Sequence, residues 1–269
     1  IDGFNAETTK YDPRLPWCDD FAMRQGELTI WAGINGHGKS ALLSYVALSA
    51  MAAGERFCIA SMELSPKRQL MRMARQATGV FEPSPTDIDS FCKWTDGRLW
   101  LYNQQGMVER SRIIALGNYV SSEIQCTHLI IDSLLKCGLA EDDYNGQKTF
   151  VDELFALSKD TGLHVHLVHH MRKGKSEHDI PDKHDTKGSG AIVDQTDNLI
   201  VCWHNKRKAE KLMEDPYDTE AKQEPDYLAL VKKQRNGEWE GAIKLWSHKP
   251  SLQFHGSDNA RPVRWVDFV

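Results

Sequence analysis

Residues Gly33 to Ser40 read G-I-N-G-H-G-K-S and follow the apolar run Leu28-Thr29-Ile30. Few strings of this length constrain a fold so tightly. A strand must end, the backbone must turn its N–H groups toward an anion, and a helix must begin at once. Glycine is needed where φ turns positive or where a ligand comes against the main chain. Lys39 then extends a point charge toward the β- and γ-phosphates of a nucleotide, and Ser40 offers a hydroxyl to Mg2+. The run Ala41-Leu42-Leu43-Ser44-Tyr45-Val46-Ala47-Leu48 supplies a helix whose positive end faces the anion. Gly33, Asn35, Gly36, His37, Gly38, Lys39, Ser40 and Ala41 are therefore the expected polyphosphate cradle. The competing reading, a glycine-rich turn that binds nothing, is weakened by the strand before it and the helix after it.

Downstream, strand-like runs alternate with helical stretches as far as Ile200, the pattern of a parallel sheet with helices on both faces. Strands are predicted at Leu28–Ala32, Phe57–Ser61, Leu99–Tyr102, His128–Asp132, His164–Val168 and Asn198–Trp203, and helices near Ser40–Ala52, Pro66–Thr78, Arg110–Val120 and Gln147–Asp160. Tyr227–Gln234, Ala242–Ser247 and Leu252–Phe254 then alternate as short strands, with a turn at Asn236-Gly237, so an antiparallel hairpin should extend the sheet. Two polar stretches, Arg172–Lys187 and Lys206–Pro225, read as mobile loops. Residues 1–16 read as a linker or arm, and 17–269 as one α/β domain.

At 269 residues, with 41% hydrophobic content, the chain can bury one large core. A net charge of −5 means that the molecule does not grip nucleic acid through its average field, so any such contact must be local. Six cysteines without C-x-x-C spacing argue against zinc and a disulfide framework and suit a reducing cytoplasm. No apolar stretch approaches the ~18 residues that span a bilayer, and no membrane role is expected. The chain opens on Ile1 rather than Met and is expected to be part of a longer protein.

Three further residues carry chemistry. The run His128-Leu129-Ile130-Ile131-Asp132 brings a carboxylate to a strand end, the Walker B arrangement, where Asp132 with Ser40 would orient Mg2+. Ser133, not a glutamate, follows it. The base is instead expected at Glu63, just past Phe57–Ser61, where it could polarise an attacking water; a carboxylate capping the helix at Ser65-Pro66 is the alternative. His170, leaving the strand His164–Val168, could report on a γ-phosphate by hydrogen bonding. His164 and His166 read as satisfied structural histidines.

As an ordered set, Arg24-Gln25-Gly26-Glu27-Leu28, Met62-Glu63-Leu64-Ser65, His128–Asp132, His170-Met171-Arg172-Lys173, Lys187-Gly188-Ser189-Gly190-Ala191 and Lys233-Gln234-Arg235 resemble the DnaB-like hexameric replicative helicases. The likeness is strongest to the branch of phage primase-helicases and the Twinkle helicase, and it runs from Phe21 to Phe254. It implies a RecA-like P-loop NTPase fold, and a ring, a hexameric homo-oligomer, around single-stranded DNA. It also implies NTP-driven unwinding at a replication fork, 5′ to 3′, with ATP or another NTP or dNTP and Mg2+ as cofactors, and primase or other replisome proteins as partners. On that resemblance Glu63 is the catalytic base and His170 the γ-phosphate sensor, while Lys233 and Arg235 reach the neighbouring subunit's site. Arg172, Lys173, Lys175, Lys187, Gly188, Ser189 and Gly190 belong to a central DNA-contacting loop. Five basic residues of Arg172–Lys187 face four acids, so charge alone says little there. Asp194 departs from the family, which carries Gln at that place.

Other classes share parts of this pattern: a RecA- or KaiC-like DNA-dependent ATPase without unwinding, or a nucleotide-dependent loader. The Lys233-Gln234-Arg235 set favours the helicase.

Overall fold

The structure, a computed structural model, describes residues 12–140, 142–171, 179–180 and 190–266, with residues 190–192 described through their backbone alone. A short hairpin of β1 (Arg14–Leu15) and β2 (Cys18–Ala22) precedes the main sheet. Six strands of that sheet run parallel: β3 (Leu28–Gly33), β4 (Phe57–Ser61), β5 (Leu99–Leu101), β6 (His128–Asp132), β7 (His164–His170) and β8 (Asn198–His204). Then β9 (Tyr227–Gln234), β10 (Gly241–His248) and β11 (Gln253–His255) add antiparallel, giving the order β11-β10-β9-β8-β3-β7-β6-β4-β5.

Alternation along each strand feeds two cores. Trp31, Phe57, Ile59, Ile130, Val168 and Ile200 pack with α1 (Lys39–Ala52), α2 (Pro66–Thr78) and α3 (Pro85–Thr95). Ile30, Ala60, Leu129, Ile131, Val165 and Leu167 point the other way, to α4 (Arg110–Ser122) and α5 (Tyr144–Thr161). This is the predicted α/β architecture, mostly parallel with a C-terminal antiparallel extension. β4, β6 and α2 carry the predicted limits, and β7 runs two residues further, to His170.

Where sequence and structure part, polar composition is the reason. Lys206–Pro225, expected as a mobile loop, contains α7 (Lys206–Glu214) and α8 (Thr219–Gln223). Lys, Glu, Ala, Leu and Met are all good helix formers, and both starts are capped. Asn205 accepts from the Lys208 N–H and Asp218 from the Ala221 N–H. The buried Lys208 then ties α7 to Asp226 at 2.8 Å, next to β9. The start of α3 lies in the run E-P-S-P-T-D, whose prolines hide a capping box between Ser84 and Asp87. The described part of the predicted arm is packed down: Leu15 is buried, and Trp17 stacks on Tyr45 of α1 and donates its indole N–H to the Phe254 carbonyl.

Beneath β3 lies a polar seam. The Trp31 indole N–H can only donate, so His166 Nδ1 accepts it at 3.1 Å. His166 Nε2 must then carry the proton and donate to His128 Nδ1 at 3.1 Å, and His128 Nε2 in turn faces Glu55 at 3.4 Å. His164 donates from Nδ1 to the Arg24 carbonyl and accepts from the Thr29 hydroxyl. Every bond is made with neutral rings. Burial is the main cause that lowers all three histidines, His164 to about 3, with His166 well below its ordinary value. A folded pKa below the unfolded one means that the unfolded chain binds more protons. The stability is therefore complete above about pH 6.5 and lost as pH falls toward the folded values, by up to about 1.4 kcal/mol per pH unit for each histidine. The urea midpoint is expected to fall steadily between pH 7 and pH 5; a flat midpoint would contradict the neutral seam.

Candidate functional site

The site forms where β3, β4, β6 and β7 all end at the same edge. At Gly33 a Cβ would stand 2.5 Å from the Cys202 carbonyl of β8, so no side chain fits. Gly38, with φ of 75°, starts α1 in a left-handed conformation, and a Cβ there would press on the Tyr227 ring at 3.0 Å. Asn35 and Gly36 are exposed at the tip of the turn, while His37 is buried with its ring edge-on to His204. Lys39 is folded inward: its ammonium donates to the Gly33 carbonyl at 2.9 Å and the Ile34 carbonyl at 3.0 Å. Burial lowers its pKa, opposed by the carboxylates of Asp132 and Glu63.

Asp132 is nearly buried, and burial raises its pKa, while the Ser40 hydroxyl, His170 and Arg72 favour its charge and Glu63 opposes it. Its Oδ1 is buried without a hydrogen-bond partner. That free oxygen beside a serine hydroxyl fits a hard cation. Among the described residues no group of three His, Cys, Asp or Glu side chains could hold a metal unaided, so the remaining ligands would be water and substrate phosphate, which suits Mg2+.

Glu63 sits across the cleft on the turn after β4, 37% exposed. Two groups aim it: Ser133 donates its hydroxyl to Oε1 at 2.9 Å, and His170 Nε2 lies 3.3 Å from the same oxygen. Since an ionised carboxylate only accepts, His170 carries its proton on Nε2. Ser65, at the N-cap position of α2, makes no side-chain cap, and Glu63 faces the cleft rather than that helix. Outside the loop, Gly38, Ala41, His204, Met213, Tyr227 and Phe254 line a cavity of about 370 Å³, roomy enough for a nucleobase and ribose.

The AAA domain family matches residues 4–176, more than half of the chain and the whole of this edge. The chain belongs to that family. Its fold is shared with two solved structures. One is the ATPase domain of a phage helicase: TM-score 0.70, 15% identity, 86% of this chain and 84% of the other covered. The second is a DnaB-like replicative helicase described with its interactions with primase: TM-score 0.68, 14% identity, 86% of this chain and 57% of the other covered. The RecA-like fold and the DnaB-like architecture expected from the motifs are thus present. No helix among the described residues is long and apolar enough to cross a membrane.

In this AAA domain Lys39, Ser40, Glu63, Asp132 and His170 converge at one edge, whereas Lys233 and Arg235 stand at the opposite end of the sheet. Lys233 donates to the carbonyls of Val193 (2.7 Å) and Asp194 (3.1 Å) in α6 (Gly190–Gln195). Arg235 donates to the Asp194 carbonyl at 3.1 Å and lies 3.6 Å from Asp197, which itself accepts from the Leu28 N–H at the start of β3. Of the DNA-loop residues, Gly190 opens α6, and Arg172, Lys173, Lys175, Lys187, Gly188 and Ser189 lie outside the described residues.

Sequence reasoning missed Ser133. It is fully buried and its hydroxyl holds Glu63, which the parallel pairing of Ser61 with Asp132 makes possible. Ser133→Ala is expected to slow nucleotide hydrolysis roughly tenfold, the scale of one hydrogen bond to a charged group, while leaving nucleotide affinity intact. Parallel measurements of turnover and binding check this; equal loss in both would make Ser133 merely structural.

Proposed function

We propose that this chain is the NTP-driven motor domain of a DnaB-like replicative DNA helicase, working as a hexameric ring on single-stranded DNA. The observation that carries this reading is the distance between the loop and the second pair of cations. β3 joins Gly33 at the loop to Leu28, which bonds Asp197 beside Arg235. Five residue steps of ~3.3 Å separate the two ends by about 16 Å. Arg235 and Lys233 cannot serve their own phosphate loop, yet two adjacent cations at a domain edge suit a neighbour's nucleotide.

Lys39 exchanges its loop carbonyls for the β- and γ-phosphates, and the backbone N–H groups of residues 34–40 surround them. Ser40 and Asp132 hold Mg2+, which neutralises phosphate charge when bound. Glu63, aimed by Ser133, takes the proton of the attacking water. His170 touches both Glu63 and the space before Asp132, so it senses the terminal phosphate. Lys233 and Arg235 of the adjacent subunit offset the charge that develops in transfer, which couples hydrolysis to subunit position. The ATP or dNTP base occupies the cavity beside Tyr227. Residues 172–190 contact DNA, with 5′ to 3′ travel and a primase partner as in the relatives that the motifs resemble.

Mixing two defective proteins tests the arrangement. Glu63→Gln should bind nucleotide and lose turnover by roughly 10² or more, the usual scale of a lost general base. Arg235→Ala should be inactive as well. Combined in mixed oligomers, confirmed by exchange of a labelled subunit, they should regain measurable hydrolysis, because some interfaces pair an intact Glu63 with an intact Arg235. No activity above the sum of the two would overturn the intersubunit role.

A further inference from the structure

Helix α2 starts three residues after Glu63 and lays one face across the first turns of α1. Gln69 donates to the Ser44 hydroxyl at 2.9 Å, and Gln76 donates to the Ala41 carbonyl at 2.9 Å. Arg72 lies three residues after the first and four before the second, so it leaves the helix on that same face, toward the start of α1 and the cleft. Its Nη1 is buried and has no hydrogen-bond partner. Asp132 Oδ1, in the cleft, is in the same condition.

These two groups feel each other. The positive charge of Arg72 favours the Asp132 carboxylate, and the negative charge of Asp132 favours the guanidinium, although burial still lowers the Arg72 pKa overall. A structural ion pair would close the gap between them; here a donor and an acceptor face a common space with both atoms unfilled. Leaving a buried charged donor unpaired costs on the order of 1–3 kcal/mol, which a partner arriving from solution would recover. That partner must accept from Arg72 and also tolerate or recruit a cation at Asp132. Water alone meets the first condition poorly for a desolvated guanidinium. A phosphate with a divalent cation meets both. Arg72 also lines a cavity of about 440 Å³ with Ser65, Lys67, Arg68, Met71 and Arg75, a positive approach to the same place.

We infer that Arg72 is a catalytic residue acting in cis on the terminal phosphate of the nucleotide, from the α2 side of the cleft, while Lys39 acts from the loop. The inference rests on the nucleotide reading above. Arg72 stays protonated throughout: it donates hydrogen bonds to the equatorial oxygens, which carry the spreading charge, and takes part in no bond making. It thereby distinguishes nucleoside triphosphate from diphosphate, since only the former reaches it.

Calorimetric titration with MgATP and MgADP tests this in a Glu63→Gln background, in which ATP stays intact. Adding Arg72→Ala should weaken ATP by about tenfold or more, the scale of a charge-assisted hydrogen bond, and leave ADP within about twofold. Arg72→Lys should recover part of the ATP affinity. Equal weakening of both nucleotides, or unchanged ATP affinity, would overturn the role of Arg72. Lys39→Ala in the same background separates the two levels of argument: it should weaken both nucleotides. If it weakens neither, the phosphate loop is not the nucleotide site and both readings fall. ADP affinity doubles as the folding control, and Arg72→Gln carries the same test should the alanine variant not fold.

Discussion

β3 is hydrogen-bonded in parallel on both flanks, to β7 with Gly33 opposite His170 and to β8 with Ala32 opposite Val201. Parallel pairing leaves no choice about where strand ends go: every C-terminal end on that side of the sheet opens at one edge. The loop after Gly33, His170 after β7, Asp132 at the end of β6 and Glu63 past β4 are neighbours for this reason alone, though they are far apart in the chain. The site is thus a property of sheet register before it is a property of any side chain. Gly33 is where the constraint is tightest, because the carbonyl of Cys202 in β8 takes the space a Cβ would need.

Charge in the cleft is balanced but unsatisfied. Lys39 and Arg72 supply positive charge, Asp132 and Glu63 negative, and desolvation weakens the charged forms of Lys39, Arg72 and Asp132. Lys39 rests on loop carbonyls, a neutral substitute for an anion, whereas Asp132 Oδ1 and Arg72 Nη1 have no substitute at all. A polyanion with its cation relieves each of these at once. Preorganised dipoles and charges of this kind act without reorganising when charge develops, which is the usual source of large rate enhancements.

How far the sequence can be read follows from what kind of signal each part sends. The parallel strands are buried on both faces and therefore appear as near-continuous apolar runs, so β4 and β6 are legible to the residue. The loop and Asp132 are legible because phosphate chemistry dictates residue types at fixed spacing. α7 is not, since its stability comes from the Asn205 cap and from Lys208 reaching Asp226, and its composition resembles that of a solvated loop. α3 is hidden by prolines that in fact mark its first turn. Ser133 and Arg72 are illegible for another reason: their meaning lies in what they face across the sheet and between helices, and neither spacing nor residue type records that.

β9 reaches from one end of the sheet to the other. At its first residue, Tyr227, the ring lies against Gly38 of the phosphate loop; at its far end it delivers Lys233 and Gln234, with Arg235 just beyond. Strands hydrogen-bond it along both sides, so it is a stiff strut rather than a tether. In a ring of such subunits each strut would have one foot on its own nucleotide and the other on the next. Displacement of Tyr227 by a bound base would then shift the cations presented next door without any hinge or unfolding between them. Such a wheel carries its timing signal circumferentially, through the stiffness of single strands laid end to end.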